Sequence, residues 1–172
     1  MPFTVTPPWA YVLQLPQHPC GPGIARSTVR TVLAAHGMQA LTAVAELVTS
    51  ELATNAYLYS DTPYSLHLYA TEPGRLRVSV WDSNPHIPAP FRGGTAVPAR
   101  DDDDEHGRGL RLVELCADDF GAHPLGAGPF RDGGLSGEGG RFGDGGPFGD
   151  GGGGKLLWAD CAAPGVERGG DG

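Results

Sequence analysis

Basic residues are scarce in this sequence and scattered where they occur. Twelve Lys and Arg stand against twenty Asp and Glu, leaving a formal charge of −8 over 172 residues. Nucleic acid and anionic membranes are bound through clustered cations, so this composition argues against both as main partners. Cysteine is sparse too. Cys20, Cys116 and Cys161 are odd in number and share no metal-ligand spacing, which reads as reduced, incidental thiols. No apolar run reaches the roughly 20 residues needed to span a bilayer. The amino terminus lacks the basic stretch and apolar core of a secretory leader. A soluble cytoplasmic protein of one domain is the expectation.

What is present centres on residues 40–60. Leu41, Val44, Val48, Leu52 and Ala56 fall at the spacing of one helix face, and no Gly or Pro interrupts the stretch from Leu41 to Ser60. At about 100° per residue, Asn55 falls inside the apolar sector and Glu51, four residues earlier, lies at its edge. Buried without partners, such groups cost on the order of 1–3 kcal/mol each, more for the charge. They therefore require other side chains, water, or a ligand with a metal.

The chain around this helix alternates strand and helix signals. Tyr11 to Leu15 reads as a first strand ended by Pro16. Ile24 to His36 reads as a first helix with Ile24, Thr28, Val32 and Ala35 on one side and Gly37 as its stop. Leu66, Leu68 and Ala70 alternate with Ser65, His67 and Tyr69. After the turn Glu72-Pro73-Gly74-Arg75, Leu76, Val78 and Val80 alternate with Arg77, Ser79 and Trp81. Continuing that count places Asp82 on the apolar face at the strand's end. There it either meets a donor from a ligand or loop, or caps the turn Ser83-Asn84-Pro85.

A proline-rich loop from Asn84 to Pro98 leads to the acidic run Asp101 to Glu105, which reads as solvated. His106-Gly107-Arg108-Gly109 then opens a second short helix with Leu110, Val113, Cys116 and Ala117 at helical spacing. Two glycines at a helix start let backbone approach a ligand closely, and the first-turn amides favour phosphate. Phe120 to Leu125 and Lys155 to Ala159 read as further strands. Between them, Gly126 to Gly154 holds more than half of the 28 glycines and too little apolar content to pack, so disorder is expected there. Its Gly-Asp-Gly-Gly units lack the nonapeptide period of calcium-binding repeats. The expected organisation is a lead-in with the first strand over 1–20, a domain over 21–160 carrying the glycine-rich insertion at about 126–154, and a tail over 161–172.

Taken together, an acid and an amide on one helix, an acid at a strand end and a glycine turn at a helix start can hold a nucleotide. With these residues the sequence resembles the Bergerat-fold, histidine-kinase-like ATPases and kinases, which include gyrase, histidine kinases and mismatch-repair ATPases. It looks closest to the small anti-sigma-factor serine/threonine kinases. The resemblance implies an α/β two-layer sandwich, a mixed β-sheet covered on one face by α-helices. In Glu51-Leu52-Ala53-Thr54-Asn55-Ala56 it implies that Glu51 is the general base and Asn55 a magnesium ligand. It implies that Asp82 binds the adenine amino group and that Gly107, Arg108, Gly109 and Leu110 wrap the phosphates beneath a lid. ATP and Mg2+ are the implied cofactors. A sigma factor or an anti-sigma antagonist is the implied protein partner; a homodimer is one assembly open to the chain, and the sequence does not choose its oligomeric state. A nucleotide-responsive binding module without useful catalysis is the alternative.

Two departures stand out. Ser83-Asn84-Pro85 follows Asp82 where the family has a Gly-x-Gly turn. Leu156 follows Gly154-Lys155 where a Thr commonly helps hold adenine, so the resemblance implies one polar contact fewer.

Overall fold

A computed structural model describes residues 7–92, 108–125 and 153–165, with Arg108 described by its backbone. The acidic run, His106, Gly107, the lid stretch from residue 93 onward and the glycine tract as far as residue 152 lie outside the described residues.

Strand β1 (Trp9–Leu15) is followed by helices α1 (Gly21–Ala35) and α2 (Thr42–Tyr59), the latter led in by a 3₁₀ turn at Gln39–Leu41. Strands β2 (Tyr64–Ala70) and β3 (Arg75–Asp82) form a hairpin, then come a 3₁₀ turn at Ala89–Phe91, helix α3 (Arg108–Cys116), and strands β4 (Asp119–Leu125) and β5 (Gly154–Ala162). The five strands make one sheet in the order β1-β2-β3-β5-β4. The expected two-layer α/β arrangement is present. The sheet is antiparallel at every pairing rather than mixed. Two successive helices separate β1 from β2. The α3 crossover does run β4 in the direction of β3, but β5 inserts between them and opposes both.

Strand alternation determines which face is covered. Leu66 and Leu68 of β2 oppose Val80 and Val78 of β3, which oppose Leu157 and Ala159 of β5. All six are nearly inaccessible and form one core with Val48, Leu52 and Ala56 of α2 and Leu110 and Val113 of α3. Each such aliphatic side chain contributes about 1.5–3 kcal/mol on burial. Helix α2 lies over β3 and β5, with α1 and α3 packed on either side of it.

The first helix buries a different stripe from the expected one. Ala25, Val29, Val32 and Leu33 face the core, whereas Ile24 is 46% exposed. Val32 belongs to both stripes, and the i, i+4 series from Ala25 through Val29 to Leu33 supplies the better continuous contact with α2. In α3, Leu110 and Val113 are buried as expected, but Cys116 is exposed because the helix ends there. All three cysteines are free. Burial, followed by the charges of Asp118 and Asp160, pushes the Cys161 thiol up to about 12 and leaves it protonated.

Candidate nucleotide site

Helix α2 carries Glu51 and Asn55 one turn apart toward the sheet and α3. Asn55 is only 8% exposed, which the apolar-sector count anticipated, and Glu51 is half-buried at the sector's edge. The side-chain oxygen Oδ1 of Asn55 has no hydrogen-bond partner among the described residues. A buried carbonyl oxygen left without a donor is a costly feature that a cation or a donor would relieve.

Helix α3 meets α2 at Glu51. A Cβ at position 109 would overlap the Glu51 carboxylate, so Gly109 is the residue that lets the start of α3 lie directly on that acid. Leu110 beside it is buried in the core and anchors the helix from below. Arg108 opens α3, while Gly107 lies outside the described residues. The structure thus brings together the helix acid and the second glycine of the expected phosphate turn, which the sequence separates by more than fifty positions.

The other end of α2 reaches the strand-end acid. Asn84 Nδ2 donates to the carbonyl of Tyr59 at 2.8 Å, and Ser83 Oγ lies 2.9 Å from Ser60 Oγ and 2.7 Å from Thr62 Oγ1. These bonds fasten the turn after β3 to the carboxyl end of α2. Asp82 sits at the root of that turn, 1% exposed. From Glu51 to Tyr59 the helix rises about 12 Å, with Asn55 midway between the two ends.

Asp82 meets one partner that its position allowed and one that the sequence reading did not anticipate. The backbone N–H of Asn84 donates to its Oδ1 at 2.8 Å, so it does cap the turn. Lys155 Nζ donates to the same oxygen at 2.9 Å and to the carbonyl of Asn84 at 3.2 Å. Both side chains of this ion pair are 1% exposed. Burial raises the Asp82 carboxyl above the ordinary carboxylate range, against the opposing pull of Lys155 and of the Asn84 amide.

Lys155 is the site residue that the sequence reading missed. Leu156 was the expected point of departure, but it is paired with Trp81 on the opposite face of the sheet. Alternation puts Lys155, Leu157, Ala159 and Cys161 on the covered face, and the register sets Lys155 directly across from Asp82. The signal was available: the same period-2 count that placed Asp82 inward, run backward along the last strand, places an ammonium there. Gly154 makes the approach possible, because a Cβ at that position would collide with the Asp82 carbonyl oxygen.

Among the described residues, no group of three or more His, Cys, Asp and Glu could hold a metal ion, and no helix is long and apolar enough to cross a membrane. Asn55 Oδ1 is an oxygen that could ligate a cation together with oxygens of a ligand, a donor set that suits magnesium on phosphates.

The chain matches a family model described as a histidine kinase-like ATPase domain over residues 22–127. The matched span covers α1, α2, β2, β3, α3 and β4, with Glu51, Asn55, Asp82 and Gly109 inside it and Lys155 beyond its end. No curated protein matches the chain.

Proposed function

The chain belongs to the histidine kinase-like ATPase domain family, which implies ATP binding, and on that premise we propose that it is a serine/threonine protein kinase of the anti-sigma type. The observation that carries this reading is the convergence on α2: Asn55 offers a buried oxygen without a partner, and one turn away the Glu51 carboxylate lies against the glycine that opens α3.

In the proposed reaction Gly109 and its neighbours at the start of α3 lie along the phosphates, where the helix amides and dipole favour negative charge. Asn55 Oδ1 would ligate magnesium. When bound, that ion neutralises phosphate charge and aligns the transferring group. Glu51 would accept the proton of the partner's Ser or Thr hydroxyl as the hydroxyl oxygen attacks the terminal phosphorus and the bond to the departing ADP breaks. Asp82 stands at the base end of the site. The partner class, a sigma factor or its antagonist, is supported by the resemblance to the anti-sigma-factor kinases.

The buried pair of Asp82 with Lys155 favours a second reading, a nucleotide-responsive binding module without useful transfer. Incubating the protein with labelled magnesium-ATP and a candidate antagonist discriminates the two. Labelled phosphoserine or phosphothreonine on the antagonist supports the kinase. Nucleotide-dependent association without label on any partner replaces it with the module.

A further inference from the structure

Lys155 is the single lysine of the chain, the other eleven of its twelve basic residues being Arg, and it is 1% exposed. A cation so deep needs partners for its charge. Its Nζ donates to Asp82 Oδ1 at 2.9 Å and to the Asn84 carbonyl at 3.2 Å, and the Asn84 N–H donates to the same Oδ1 at 2.8 Å. Both bonds to the carboxylate thus fall on one oxygen. Oδ2 takes neither, yet it is not one of the partnerless polar atoms that the fold seals from solvent, as Trp9 Nε1 and Tyr64 Oη are. One oxygen of Asp82 is tied into the protein and the other is left as an open acceptor.

We propose that Lys155 is a positioning residue for nucleotide binding, one that pins Asp82 through Oδ1 and leaves Oδ2 to accept from the amino group of a base. Deepening the nucleotide reading above, this inference rests on the placement of the base at Asp82. The pin is built into the sheet: Lys155 is the register partner of Asp82, and the absence of a side chain at Gly154 lets β5 start against the Asp82 main chain. Asp82 cannot turn Oδ2 away without stripping a buried ammonium of its partner, which is strongly unfavourable. The ammonium also sets the charge. Burial favours the protonated carboxyl, and Lys155 and the Asn84 amide oppose it. Among the described residues Lys155 is the one charge that acts on Asp82. Helix α2, packed over β3, has its acid Glu51 against Gly109, and the inward Tyr64 of β2 has its hydroxyl pushed up to about 12 by burial and stays neutral. In the loop after β3, His86 and Arg92 bond each other. A protonated Asp82 would hold an amine by an ordinary hydrogen bond, roughly half as strong as one to a carboxylate.

The test is calorimetric titration of the full chain with magnesium and three probes: ATP, purine riboside triphosphate (ATP without its 6-amino group) and inorganic tripolyphosphate. The native protein should prefer ATP to purine riboside triphosphate by about tenfold or more, the worth of one charge-assisted bond, between pH 6 and pH 8.5. Lys155→Met, checked for folding by circular dichroism, keeps the length of the side chain and removes its charge, so the Asp82 carboxyl rises further. Its preference for ATP should vanish at the acid end and return as pH rises and Asp82 ionises, with tripolyphosphate bound as in the native protein. A merely structural lysine would weaken all three probes alike and give no such slope. A folded Lys155→Met that keeps the native preference at every pH overturns the inference and leaves the base at Asp82. A native protein that binds tripolyphosphate but does not distinguish the two nucleotides overturns the inference together with the placement of the base, and failure of all three probes removes the nucleotide reading as well. Should Lys155→Met not fold, the native chain decides. Labelling lysine with ¹⁵N gives one ammonium resonance, which should persist at saturating magnesium-ATP and shift more with ATP than with purine riboside triphosphate. A resonance absent from the free protein, lost on binding ATP, or moved equally by both nucleotides overturns the inference.

Discussion

The carboxylate of Glu51 fills the space that a Cβ on residue 109 would occupy. That contact joins the candidate base on α2 to the candidate phosphate turn on α3, and it makes position 109 a lever on Glu51. Because the obstructing atoms are the far end of a flexible side chain, Gly109→Ala should displace the carboxylate without unfolding the protein. Replacing Gly by Ala in a helix contributes about 0.5–1 kcal/mol by itself, so the melting temperature should hold or rise slightly. Phosphate transfer should fall. A steep loss of thermal stability would instead show that Glu51 is held rigidly.

Glu51→Gln separates binding from chemistry. The amide keeps the size of the side chain and its capacity to bond but cannot take a proton. Magnesium-ATP affinity should survive, and transfer to a partner hydroxyl should fall by roughly 10²–10⁴-fold. Phosphate incorporation at the parent rate in this variant rules out the general-base role.

Asn55→Ala should act on the metal. Its buried Oδ1 has no partner among the described residues, so removing it sacrifices no hydrogen bond of the described fold. Stability should change by no more than a small-cavity effect, whereas the magnesium-dependent part of ATP affinity should drop by about 1.5–3 kcal/mol, roughly tenfold or more. Titrations with magnesium and with EDTA measure that part directly. Equal magnesium dependence in variant and parent removes Asn55 from the ligand set.

A pH effect follows from His67, half-buried on the uncovered face of β2, 2.8 Å from Ser65 Oγ. Burial lowers its pKa below the ordinary value. The folded state thus favours the neutral ring, and the unfolded chain takes up the proton first. The contribution of His67 is fully present above the unfolded value of about 6.5 and is lost as pH falls through the lower folded value. In melts between pH 8 and pH 5, His67→Gln should lose less stability than the parent on acidification. Parallel curves for the two proteins would contradict this assignment.

Local pattern was enough to read most of the elements. The helical spacing through Val48, Leu52 and Ala56 marked the buried face of α2, and period-2 alternation marked the inward faces of β2 and β3. The same two periodicities placed Asn55 and Asp82 inside, because a side chain's direction on a helix or strand depends on its own position and little else. Where two stripes were nearly equivalent, as on α1, the spacing could not choose between them. Contact with α2 chose Ala25, Val29 and Leu33 over Ile24 and Thr28.

What depends on strand order was decided only in three dimensions. Lys155 is 73 residues from Asp82, and no local preference links them. They meet because β5 enters the sheet beside β3, in a register that puts the ammonium across from the carboxylate. The meeting of Gly109 with Glu51 has the same origin, since the packing of α3 on α2 brings them together. By itself the sequence determined which side chains of α2, β2 and β3 face the interior, through backbone periodicity. The tertiary structure decided which of them meet, because pairing strands and packing helices is a long-range choice made by the whole core at once.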